Sequence, residues 1–180
     1  MTVICIDPGH GGDRPGACYF GHEEKTATLA ISKLLQPKLE AAGFSVIMTR
    51  KSDVDVSLRR RCEISNDARA AAFISIHLNA CKSPGVKGAE TWKWYKTREF
   101  SQTLADNVQA ALVAATDEKD RGVKTNKTYY VLHHTTASAL VVECGFMSNE
   151  NECKKLFTPE YQERIAEGIC NGIIKAFQNI

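Results

Sequence analysis

Short apolar runs alternate with amphipathic stretches of helical period along the chain. Residues 3–6, 44–48, 72–77 and 140–142 read as strands, and residues 129–132 as a further short one. Residues 23–42, 57–71, 98–115 and 164–177 read as helices. In the first of these, Ala27, Ile31, Leu34, Leu35 and Leu39 recur at three- and four-residue spacing, and Gly43 is a good stop. Pro37 within that pattern predicts a kink, or a break near Gln36, because proline lacks the N–H of a helical turn. Ser57 suits an N-cap. Leu104, Val108 and Leu112 mark one helix face, and Ile165, Ile169, Ile173 and Phe177 another. Residues 79–88, with Ser83-Pro84-Gly85 and Gly88, read as a loop. Residues 89–95 alternate like an edge or antiparallel strand. Apolar strands between amphipathic helices predict an α/β sandwich around a largely parallel sheet, one domain over residues 1–180.

Composition narrows the function classes. The charge balance is 23 basic against 21 acidic residues, a smaller excess than phosphate-tracking domains carry, so no nucleic-acid partner is expected. No apolar run reaches the roughly 18–20 residues that cross a bilayer, so no membrane insertion is expected. Met1 leads directly into the first apolar run with no basic segment before it, which predicts synthesis in the cytoplasm without a signal peptide. The 7 cysteines form no C-x-x-C pair, and several replace small apolar residues. They read as reduced core thiols.

Ligands of open α/β sheets gather beyond the carboxyl ends of the strands. Asp7-Pro8-Gly9-His10-Gly11-Gly12 follows the first strand, His77 ends the third, and Glu143 follows the last apolar run. Glu23 and Glu24 open the first long helix at the same edge. Two imidazoles and a carboxylate make a zinc set with a position left open for water, and a further carboxylate can serve that water as base. Each residue also has a plainer reading. His10 between glycines suits a turn, and His77 suits a core histidine. Glu23 and Glu24 complement a helix N-terminus. Glu143 is harder to explain, since a buried unpaired carboxylate is costly. The glycine-rich loop lacks a G-x-G-x-x-G pattern or a Walker lysine, so it is a weak phosphate cradle. Arg59, Arg60 and Arg61 read as a solvated helix face, with Arg61 turned inward to a carboxylate as the alternative. His133 and His134 read as surface or turn residues, and His22 as a poorer ligand. Trp92 and Trp94 share one strand face, for packing or as a sugar platform.

Taken in order, residues 4–12, Glu24-Lys25, Thr49-Arg50, residues 73–80 and residues 142–149 resemble the N-acetylmuramoyl-L-alanine amidases of the amidase-3 type. The likeness runs from residue 2 to about residue 178. It implies a mixed sheet of about six strands flanked by helices. It implies zinc bound by His10, Glu24 and His77, with Glu143 as the catalytic glutamate. The implied reaction cuts the amide between the lactyl group of N-acetylmuramic acid and L-alanine, with peptidoglycan as the partner, as a lysin or autolysin domain working on the wall after release or export. No substrate-binding residue is assigned, and a monomer is expected. Alternatives are a zinc peptidase or carboxypeptidase, which would need a cationic clamp for a free carboxylate, and a non-catalytic wall-binding module. Two positions depart from the pattern. Arg14 stands where an aspartate usually precedes proline, and Ser138 where a proline commonly precedes the last strand.

Overall fold

The first apolar run becomes β1 (Val3–Pro8), followed by a small hairpin of β2 (Cys18–Tyr19) and β3 (His22–Glu23) that leads into α1 (Glu24–Ala41). Next come β4 (Ser45–Met48), α2 (Leu58–Asp67), β5 (Ala72–Asn79), β6 (Ala89–Trp94) and α3 (Glu99–Thr116). The chain continues through β7 (Asp120–Asn126), α4 (Tyr130–His134), β8 (Ser138–Phe146), α5 (Glu150–Leu156) and α6 (Pro159–Gln178). The computed structural model describes residues 1–96 and 99–178. The helix start expected at Arg98 lies outside the described residues.

Six strands form one mixed sheet in the order β4-β1-β5-β8-β6-β7. All neighbours are parallel except β6 and β8. Side chains alternate across it. Ile4, Ile6, Ile74, Ile76, Leu140 and Val142 point to one face and pack with Ile31, Leu35, Leu104, Leu112, Ile165 and Ile169 of α1, α3 and α6. On the other face Cys5, Phe73 and Val141 form a smaller cluster with Cys62 of α2 and Val131 and Leu132 of α4. Each large apolar side chain removed from water contributes about 1.5–3 kcal/mol, so the main cluster dominates the hydrophobic drive. The outcome is a three-layer sandwich with the sheet in the middle.

Several expectations are corrected. Residues 129–132 do not form a strand. Tyr130–His134 is a short helix, because an apolar run of four is too short to set a period and Val131 and Leu132 fit the gap beside α2. Asp120–Asn126 is a strand that the pattern did not mark; it is a polar, half-exposed edge with few apolar residues. That edge makes β6 an inner strand, antiparallel to β8. Glu150–Leu156 is an unexpected short helix, and the last helix begins earlier, at Pro159. The second helix is shorter than expected, Leu58–Asp67, capped as expected by Ser57 Oγ accepting from Arg60 N at 3.2 Å. The first helix continues through Pro37, which is exposed, so the missing hydrogen bond faces water. All 7 cysteines are free thiols, as expected, and 5 of them are buried. Among the described residues, no helix is long and apolar enough to cross a membrane.

Candidate metal centre

The parallel register carries the chemistry to one rim. Asp7 pairs with Ser75 across β1 and β5, and His77 pairs with Glu143 across β5 and β8. All four project to the α2 and α4 face, at the carboxyl ends of their strands. There the apolar cover of the second cluster gives way to polar side chains.

Immediately after β1 the chain turns sharply. His10 has φ 61°, a left-handed conformation uncommon for a residue with a side chain. Two arginines hold this turn by its carbonyls. Arg50 donates to Pro8 O (3.0 Å) and Gly9 O (2.8 Å). Arg61 donates to Pro8 O and His10 O, each at 2.7 Å. Arg61 also donates to Asp7 Oδ1 at 2.7 Å, and Ser75 Oγ donates to Asp7 Oδ2 at 2.6 Å. A strained backbone persists where its surroundings over-determine it, and these bonds do so for His10.

Glu24 reaches the same rim from the first turn of α1. The β2–β3 hairpin folds the chain back so that Glu24 N donates to Ala17 O at 2.9 Å. The Glu24 carboxylate then lies between the two imidazoles. Oε2 is 3.1 Å from His10 Nε2, and Oε1 is 3.0 Å from His77 Nδ1. Ala17 N and Leu78 N each donate to it at 2.9 Å. One ligand atom from each of His10, Glu24 and His77 lies within 4.8 Å of the others. Two glycines make room. A Cβ on Gly9 would stand 2.4 Å from His77 Cε1, and one on Gly16 would stand 2.5 Å from Glu24 Oε2.

The electrostatics follow the geometry. Burial opposes the charge on Glu24, but the His10 and His77 hydrogen bonds outweigh it and hold the carboxyl well below the usual carboxylate range. Burial also opposes the charge on His77, yet the Glu24 hydrogen bond and charge lift it to about 9. Glu143 behaves oppositely. Burial pushes its carboxyl up to about 7; the charge of His77 partly offsets this, while Glu24 and Glu90 add to it. Its Oε2 is buried with no hydrogen-bond partner. The Glu143 side chain lines a cavity of about 240 Å³ that is also lined by His10, Leu58, His77, Tyr129 and Tyr130. The donor set therefore suits a divalent ion of zinc type: two imidazoles, one carboxylate ionised at any working pH, and an orphaned carboxyl beside them.

The other candidates go elsewhere. Glu23 is exposed and lies 3.5 Å from Lys25 Nζ. His22 stacks on Phe157 at 4.1 Å. His133 stacks on Trp94 at 4.5 Å and His134 on Tyr130 at 4.0 Å, both exposed at the end of α4. Trp92 and Trp94 share a face, and both pack partly against the smaller cluster. Arg59 and Arg60 pair with Glu63 on the surface as expected, but the solvated reading of Arg61 is corrected: it turns inward to Asp7, because a buried carboxylate needs a cation. Arg14 meets Asp55 at 3.1 Å, and Ser138 keeps an N–H for Ala71 O that proline would lack.

Four residues near the rim had no assigned part in the sequence. Asp7 and Arg50 complete the turn described above, and the Thr49-Arg50 and Asp7-Pro8 pairs were the signals for them. Glu152 of α5 is 2% exposed and accepts from Phe146 N and Gly88 N, each at 2.9 Å, tying the end of β8 to the start of β6. Glu90 faces Glu143 across β6 and β8 and gathers two cations, Arg121 and Lys124.

Comparison with known proteins agrees in sequence and in fold. The family model for N-acetylmuramoyl-L-alanine amidase of the amidase-3 type matches residues 4–175. The sporulation-specific N-acetylmuramoyl-L-alanine amidase of Bacillus subtilis (strain 168) is 37% identical over 179 residues, covering 98% of this chain and 69% of that protein. The endolysin of Bacillus phage SPP1 is 35% identical over 178 residues, covering 95% of this chain and 64% of that protein. Among solved structures, the N-acetylmuramoyl-L-alanine amidase from Clostridium difficile 630 superimposes with a TM-score of 0.95 at 34% identity, over 98% of this chain and 97% of that one.

Proposed function

Since the chain belongs to the amidase-3 family of N-acetylmuramoyl-L-alanine amidases, we propose that it cuts the lactyl–L-alanine amide of peptidoglycan with zinc held by His10, Glu24 and His77. Peptidoglycan amidase activity follows from the family; the metal, its ligands and the role of Glu143 are our reading. The observation that carries it is one carboxylate between two imidazoles, beside a buried carboxyl with an orphaned oxygen.

Bound there, zinc supplies a Lewis acid that brings the pKa of a water toward neutrality and polarises the amide carbonyl. The protein's own groups do the rest. Glu143 takes the proton of the attacking water and passes it to the departing alanine nitrogen. Leu58, Tyr129 and Tyr130 wall the cavity and limit water around the reacting amide. Arg50 and Arg61 hold the backbone of the turn that aims His10. Each chain carries the whole set, so the reading needs a single copy, working as one catalytic domain over residues 1–180 on the cell wall.

Metal content tests the assignment separately from turnover. His10→Ala and His77→Ala should each lose bound zinc and activity together. Glu143→Ala should keep zinc near one per chain while losing most of its activity. Full zinc occupancy in both histidine variants would refute the ligand set, and unchanged turnover in Glu143→Ala would refute the proton carrier.

A further inference from the structure

We infer that the face of β6 and β7 beside Glu143 forms a subsite for a free carboxylate of the peptidoglycan stem peptide, with Lys124 and Arg121 as its cations. The inference deepens the amidase reading and rests on it.

Glu90 stands directly opposite Glu143 in the β6–β8 register, and such pairs point to the same face. It is 3% exposed and fully partnered. Oε1 accepts from Asn79 Nδ2 at 2.9 Å and Trp92 Nε1 at 3.0 Å. Oε2 accepts from Arg121 Nε at 2.8 Å and Lys124 Nζ at 2.5 Å. One carboxylate thus meets two full cations, and Glu90, Arg121 and Lys124 by themselves sum to one positive charge. One cation would have been enough to neutralise Glu90. Both side chains remain partly open, 25% for Arg121 and 33% for Lys124. Aromatic rings back them: Lys124 Nζ lies 5.2 Å from the Trp92 centroid, and the Arg121 guanidinium 4.9 Å from that of Phe146. Tyr129 stands 5.9 Å from Trp92 and also lines the cavity at Glu143, so the two regions form one continuous shelf. Low-dielectric walls around excess positive charge strengthen the field felt by an incoming anion.

The substrate supplies a matching charge at a matching reach. The scissile nitrogen belongs to alanine, and the next residue of a stem peptide is a γ-linked D-glutamyl whose α-carboxyl is free or amidated. That group lies about two residue lengths, roughly 7 Å, from the nitrogen. Lys124 lies two strands from β8 and level with Val141, two residues along from Glu143, so the two backbones are about 12 Å apart and the long side chains shorten the gap. The glycan side of the bond offers neutral hydroxyl and acetamido groups there, which give surplus cations no counterpart. The peptide side does, through charge-assisted hydrogen bonds.

The test uses the zinc-loaded chain and two peptides, L-alanyl-γ-D-glutamyl-L-lysine and the same peptide with its glutamyl α-carboxyl amidated. Calorimetry should give about tenfold tighter binding of the free acid. Lys124→Met should bring the ratio within about twofold, and Lys124→Arg should keep it. Thermal unfolding checks that each variant is folded. Equal affinity of the unmodified chain for both peptides, or no binding of either at millimolar concentration, would overturn the subsite. So would an undiminished preference in Lys124→Met. A matched pair of muropeptides then reads kcat and KM, where the preference should appear mainly in KM. Failure to cut either muropeptide would count against the amidase reading, whereas the binding ratio decides the subsite without turnover.

Discussion

Glu143 occupies a position where a carboxylate has little reason to stay charged. It is buried, one oxygen has no partner, and Glu24 and Glu90 press on it. Its carboxyl is raised from an ordinary value of 4.5 to about 7. A raised acid binds its proton more tightly in the folded chain than in the unfolded one. Its contribution to stability is therefore full below its ordinary value and is lost as pH rises through about 7. In metal-free protein, Glu143→Gln should remove that decline, so the variant gains on the unsubstituted chain as pH rises from 4.5 to 7. His77, lifted to about 9 chiefly by Glu24 and in part by the Glu143 charge, gives up its own contribution at higher pH. Thermal unfolding in chelator across that range reads the difference. Parallel pH profiles for the two proteins would mean that Glu143 ionises like a surface carboxylate. In the zinc-loaded protein the same substitution should lower kcat by roughly 10²–10⁴-fold, the range for a lost acid–base group.

Elements decide how firmly the site residues are held. The turn after β1 relies on Arg61 reaching from α2 to Asp7, a pair in which both side chains are under 5% exposed. Removing one partner of a buried pair strands the other charge, at a cost of about 3–5 kcal/mol. Arg61→Met should therefore lower stability by that order in a urea titration. A loss below about 1 kcal/mol would show that the hydroxyls of Ser75 and Thr49, which both donate to the Asp7 carboxylate, satisfy it unaided. The helical layer depends on close approach. A Cβ on Gly172 of α6 would stand 2.5 Å from Val108 Cα of α3. Alanine favours a helix by about 1 kcal/mol over glycine. Overpacking against backbone costs about 1–3 kcal/mol, so Gly172→Ala should unfold at lower temperature. An unchanged or higher unfolding temperature would mean that α3 and α6 separate without cost.

The elements also show what the residue pattern can reveal. Strands β1, β5 and β8 are apolar and bounded by turn residues, and the amphipathic helices α1, α3 and α6 repeat at helical spacing. These follow from periodicity. His10, His77 and Glu143 were legible as strand-end residues, whereas the inward turn of Arg61 was only the alternative to a solvated face, since neighbouring arginines look alike until the helix is docked. The choice of Glu24 over Glu23 was not legible from local spacing, because it depends on the hairpin that turns one of two neighbours inward. β7 escaped because an edge strand needs few apolar residues. The Glu90, Arg121 and Lys124 cluster escaped for the same reason: it joins two strands whose pairing only the folded sheet supplies.

Across the whole molecule, topology brings residues at positions 10, 77 and 143 to one cavity and sets Glu24 between the two histidines. The parallel strands β1, β5 and β8 end together, the hairpin returns α1 to that edge, and antiparallel β6 brings Glu90 beside Glu143. The apolar helical layer lies on the far face of the sheet, so the chemistry and the main core are on opposite sides. The most direct test of this account is a digest of purified peptidoglycan, with and without chelator, in which new amino termini are identified by residue. The account predicts new N-terminal L-alanine that disappears with chelator and returns when zinc is restored. New termini of any other residue, or release of L-alanine termini that chelation leaves untouched, would contradict it.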